Sequence, residues 1–258
     1  MTPNADGTSR RLSPAATLGL GLALAAALLA VFGGFGSRWE WWSFRTGFRM
    51  LEWAARFALL AALLCLVGAV HGRGRRRGAS LALLGLAIAV VVVGVPWNWR
   101  QTARSVPPIH DISTDTRNPP QFVAILPLRA DAPNPPEYGG DSIAVQQRAA
   151  YPELGPVAFA APADTAFRVA LDAARKMGWE IVDADRAGGR IEATDRTFWF
   201  GFRDDVVIRV AGVGGGSYVD VRSKSRVGGS DVGTNARRVR AYLQRLTDES
   251  PDAVISQR

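Results

Sequence analysis

The chain has 258 residues, 48% of them hydrophobic, and a net charge of +8 at neutral pH. That charge is held unevenly: up to Arg104 there are 12 Lys/Arg against 3 Asp/Glu, and from Ser105 onward 19 against 20. The basic residues therefore accompany the long apolar runs, which argues against a nucleic-acid binder, and the single cysteine, Cys65, argues against a disulfide scaffold or a cysteine-based metal site.

Three stretches have the length and composition to span a bilayer, which takes about 20 helical residues. They run over residues 14–36, 51–70 and 79–97, and the first and third contain no charge. Residues 1–104 thus read as a membrane domain. Glu52 and Arg56 lie near the start of the second span at i,i+4 spacing. They are expected to pair close to the interface, with Arg56 snorkelling outward. Arg10 and Arg11 precede the first span, and Arg73, Arg75, Arg76 and Arg77 separate the second from the third. The positive-inside rule keeps both groups in the cytoplasm and sends everything after Trp97 outside. Trp39, Trp41, Trp42, Trp53, Trp97 and Trp99 then all fall at the outer interface, where indoles concentrate. The SRRLSP segment is a weak match to a twin-arginine signal, and the length of the first span predicts a retained anchor. Arg outnumbers Lys 29 to 2, the bias of a GC-rich bacterial genome, so the outside reads as the periplasm.

Residues 105–258 are long enough for one domain. Over residues 105–156 proline is dense, and little regular structure is expected beyond a short strand at 121–126. This stretch reads as a segment that wraps the domain. A helix is predicted from Pro162 to Gly178, with Phe167, Ala170, Leu171, Ala174 and Met177 at helical spacing. Strands follow at 179–183 and 190–194, then extended segments at 197–202 and 206–213. Gly214, Gly215 and Gly216 turn the chain into a strand at 218–223. A last helix covers 232–247. The predicted fold is a two-layer α+β domain, a four-stranded antiparallel sheet with two helices on one face.

The blocks PPIHDISTDTRNPPQF at 107–122, MGWEIVDAD at 177–185, GRIEATDRTFWFGFRDDVVIRV at 189–210 and VDVRSKSRVGGSDVGTNARRVR at 219–240 give the chain its resemblance to the domain of unknown function 1499 family of bacteria and plastids. The resemblance spans about 140 residues, implies a membrane-associated or exported domain, and supplies no activity.

Three clusters carry candidate chemistry. His110 and Asp111, followed by Asp115, place an imidazole beside carboxylates, the raw material of a general base or a metal ligand, with Asp204 and Asp205 as the nearest further ligands. Asp204 and Asp205 are adjacent and would point to opposite faces of a strand, but between the extended segments at 197–202 and 206–213 they are expected rather to form a hairpin turn. The third runs through Arg222, Ser225, Arg226 and Ser230 into the last helix, with Asn235 and Arg238 on it. A Gly/Ser-rich loop before a helix N-terminus suits an anion, although Ser230 or Asp231 can cap that helix instead. Asn235 and Arg238 would complete a polar site or pair with Asp220. No zinc motif, nucleophilic triad or dinucleotide fingerprint is present, so no cofactor is expected.

The expected protein is therefore an integral inner-membrane protein with a periplasmic domain that binds an envelope protein partner or a small anionic ligand. Its partners are the lipid bilayer and that ligand or protein, not nucleic acid. A hydrolase or metal-dependent enzyme built on His110, and an anionic lipid or phosphate binder, are the alternatives.

Overall fold

A computed structural model describes residues 13–71, 76–250 and 252–256. Arg10, Arg11, Arg73 and Arg75, and the side chains of Arg76 and Arg77, lie outside the described residues. The chain divides into two compact units, one of residues 1–100 with Trp199–Gly201, the other of the remainder.

The first unit holds the long helices α1 (Pro14–Arg38) and α2 (Phe44–His71) and all but the end of α3 (Arg76–Ser105). Each contains a stretch long and apolar enough to cross a membrane. All three outrun the predicted spans. Phe44, Gly47 and Phe48 carry the apolar pattern of α2 back past Arg45 and Arg49, and α3 continues through Pro96. The face of α1 that packs on α2 is made of small residues: Ala16, Gly19, Ala23, Ala26, Ala30 and Gly33 are buried. Gly47, Ala54, Ala58, Ala61 and Gly68 answer from α2. Small side chains let helix backbones approach closely, the usual source of helix cohesion in lipid. The approach is tight: a Cβ on Gly47 would strike the Gly33 carbonyl, and one on Gly68 would strike the backbone of Ala16. Within the same unit Trp199 Nε1 donates to the Val31 carbonyl at 3.1 Å, and its indole fills the space beside Gly34.

The second unit is α+β with a seven-stranded sheet, not the four strands expected, and the whole chain has six α-helices among the described residues. The strands are β1 (Asp111–Ser113), β2 (Val157–Phe159), β3 (Glu180–Asp185), β4 (Arg190–Arg196), β5 (Arg203–Val213), β6 (Gly216–Ser225) and β7 (Val254–Ile255). Their order is β3-β4-β5-β6-β2-β7, with β1 also on β6, and every pairing is antiparallel. The three extra strands are two or three residues long, too short to show a period-2 pattern. The 197–202 segment is not a strand, nor is 121–126, where a 3-10 turn (Leu126–Arg129) follows instead. Gly214 and Gly215 both have positive φ (56° and 90°), as a two-residue turn between β5 and β6 requires.

One face of the sheet packs on α5 (Ala163–Lys176) and α6 (Thr234–Glu249). Val206, Ile208, Val210, Val219 and Val221 meet Phe167, Ala170, Val239, Tyr242 and Leu246 there in one continuous core. The other face is covered by the proline-rich segment, which puts Phe122 and Ile125 on Val207. That segment also forms α4 (Asp141–Ala150), a helix the sequence reading did not anticipate.

Candidate functional site

Strand alternation sorts the polar residues of the sheet. In register, Thr194, Asp205 and Lys224 lie side by side, as do Glu192, Val207 and Arg222, and then Arg190, Arg209 and Asp220. All of these face the proline-rich segment, because period-2 alternation sends Val206, Ile208 and Val221 to the helices.

Asp111, on the short strand β1 beside Lys224 of β6, faces the same side. Its carboxylate receives Arg222 Nε (2.8 Å), Arg222 Nη2 (2.9 Å) and Lys224 Nζ (3.0 Å). Arg222 is fully buried, and its guanidinium carbon lies 4.9 Å from the Phe122 ring center and 5.4 Å from that of Tyr138. It donates onward to the carbonyls of Pro120 and Pro136, while Lys224 donates to that of Glu137. Carbonyls buried in an irregular segment have no ladder partner, and these side chains supply the donors they need. Burial pushes the Lys224 ammonium down from its ordinary value, with Asp111 pulling it back up.

Asp205 forms a second center. It accepts from Arg129, from Arg226 Nε (2.9 Å) and Nη2 (2.8 Å), and from the Thr194 hydroxyl (2.8 Å). Its neighbor Asp204 points to the opposite face and pairs with Arg238 at 2.7 Å. Arg238 also binds Asp195 and donates to the Asn235 side chain, which in turn bonds Ser223 and Ser225. Burial opposes the Arg238 charge, but Asp204 and Asp195 outweigh it and hold its pKa above the ordinary value. Arg238 does not reach Asp220, whose carboxylate is bound by Arg209 at 2.7 Å. Asp115 receives Arg209 at 3.0 Å and the amides of Arg117 and Asn118.

The loop before α6 is filled by its own carboxylate. Asp231 accepts from the amides of Gly233 (2.7 Å) and Asn235 (2.8 Å), and Ser230 Oγ from that of Val232. Burial raises the Asp231 pKa, and these bonds offset part of the rise. His110 is at the edge of this loop, with Nδ1 3.4 Å from the Gly229 carbonyl. No group of three or more His, Cys, Asp or Glu is arranged to hold a metal among the described residues.

The predicted residues are thus split between the two faces of the sheet, Asp204, Asn235 and Arg238 on the helix side and Asp111, Asp205, Arg222 and Arg226 in an internal lattice under the proline-rich segment, and each of these carboxylates already faces a cation. Two further buried residues carry no local sequence signal. Glu192, fully buried, accepts from the amides of Val123 (2.9 Å), Ala124 (3.0 Å) and Ile125 (2.9 Å) and faces Arg190. Gln147 on α4 pairs with both backbone groups of Ser113 as a neighboring strand would.

The model of a family described as a protein of unknown function, DUF1499, matches residues 111–246. No curated protein matches the chain.

Proposed function

The chain belongs to the DUF1499 family, and from that premise we propose that it is a multi-pass inner-membrane protein with a periplasmic domain that binds an envelope partner or ligand and turns over no substrate. The observation that carries this reading is the engagement of Asp111, Asp115, Asp204 and Asp205 by arginine or lysine. A carboxylate held this way is a poor proton acceptor and a poor metal ligand, because either role must first displace a buried cation. A hydrolase built on His110 loses its second group by the same argument. An anion at the 222–238 loop would compete with Asp231 for the amides that start α6.

Two experiments test the proposal. Purified full-length protein should give no turnover of phosphate, acyl or glycosyl ester substrates. Turnover abolished by His110→Ala overturns the non-enzymatic reading. For topology, a single cysteine in place of Ser105 in a Cys65→Ala background should react with a membrane-impermeant maleimide from the periplasm, and one in place of Ser13 only after lysis. The reverse pattern removes the periplasmic assignment.

A further inference from the structure

The start of α2 carries a line of charged side chains. Arg45, Arg49, Glu52 and Arg56 are all exposed. At about 100° per residue they fall within about 60° of arc, one stripe along the helix. At a rise of about 1.5 Å per residue the stripe is about 16 Å long. The headgroup layer of one leaflet is only about 7 Å deep. A helix that crosses the bilayer therefore brings this stripe through the headgroup level and on toward the acyl chains.

The stripe is short of negative charge. Residues 13–105 contain only two acidic side chains, Glu40 and Glu52, and Glu52 is the one on the stripe. Its contact with Arg56 is long, 3.9 Å, between side chains 66% and 58% exposed. Arg49 has a 3.4 Å contact with Thr46 Oγ1, and Arg45 lies over the Phe44 ring. The stripe thus carries three guanidiniums and one carboxylate, which Arg56 contacts. Aromatic side chains flank them: Arg56 packs on Trp53, which contacts Phe57, and the Trp39 and Trp41 rings meet at a tilt at the adjacent turn. An exposed indole belt marks the level of lipid headgroups.

We propose that the Arg45–Arg49–Arg56 stripe is a binding site for the headgroup of an anionic phospholipid. The phosphodiester supplies the negative charge the stripe lacks. Guanidinium forks bind phosphate oxygens in pairs, and arginine side chains extend along the helix toward that level. Glu52 limits the site to a net charge of two. The bilayer is the occupant, because the stripe lies on a helix apolar enough to sit in it and is bordered by interfacial aromatics.

Native mass spectrometry of the full chain in detergent, with phosphatidylglycerol or phosphatidylcholine added, tests the site. Wild type should retain phosphatidylglycerol preferentially, and Arg45→Gln/Arg49→Gln/Arg56→Gln should lower that retention by about tenfold, with Arg168→Gln as an unaffected control. Glu52→Gln removes the one repulsive charge and should raise retention; it keeps the test decisive should the triple variant fail to fold. Equal retention of the two lipids, an unchanged triple variant, or weaker binding by Glu52→Gln overturns the proposal. Displacement of the lipid by excess glycerol 3-phosphate also overturns it, in favor of a site for soluble phosphate.

Discussion

Glu192→Gln changes one buried atom and addresses how the proline-rich segment is held. Three amides, those of Val123, Ala124 and Ile125, converge on the two Glu192 oxygens at 2.9–3.0 Å. Glutamine is the same size but offers one oxygen and an NH2 group. If the oxygen keeps the Val123 and Ala124 amides, the NH2 faces the Ile125 amide, donor against donor, at a residue with no solvent exposure. A buried unsatisfied donor costs about 1–3 kcal/mol, and the surviving bonds lose their charge assistance. The loss should exceed about 2 kcal/mol, roughly 30-fold in an opening equilibrium. Hydrogen exchange on the full chain in detergent reads this locally: the 123–125 amides should exchange about 30-fold faster in the variant, while those of Val239 and Leu243 in α6 stay within a few-fold. Unchanged exchange at 123–125 would refute the idea that this carboxylate anchors the segment.

Arg222→Met should destabilize the second unit by about 3–5 kcal/mol, since it strands the Pro120 and Pro136 carbonyls and halves the charge facing Asp111; denaturant unfolding with a cost below 1 kcal/mol would make the lattice incidental. Asp231 has its folded pKa raised by burial, so its stabilizing contribution is present below its unfolded pKa and is lost as pH rises through the folded one. The stability of wild type relative to Asp231→Asn should therefore improve as pH falls from neutral toward the carboxylate range, as followed by thermal melting, and a flat difference contradicts the assignment. Gly47→Ala must separate α1 from α2, because the added methyl meets the Gly33 backbone; a melting temperature in detergent equal to that of wild type would show that the close approach is not required.

The legible parts of the site were the residue types in it. Asp204 and Asp205 lie between two predicted extended segments and read as turn formers more readily than as strand residues; the structure instead includes both in β5, where alternation sends them to opposite faces, bound by Arg238 and by Arg129 and Arg226. Glu192 and Gln147 were illegible, because each bonds backbone more than 30 residues away and neither stands in a motif. The same distance conceals β1, β2 and β7. Each is two or three residues of strand that exists only because β6, or β2 beside it, offers an edge.

Local composition determined the three apolar helices, the long hairpin strands and the helices that flank them, since hydrophobic period and length need no distant partner. The charge split likewise separated an apolar, arginine-bearing first part from a neutral second. Tertiary structure alone decided what the polar blocks do. The His110, Asp204–Asp205 and Arg222–Arg238 clusters read as candidate sites because charged residues in sequence look available. Once β4, β5 and β6 lie in register under the proline-rich segment, burial requires each charge to find an opposite charge or a backbone group. The order of the strands determines which.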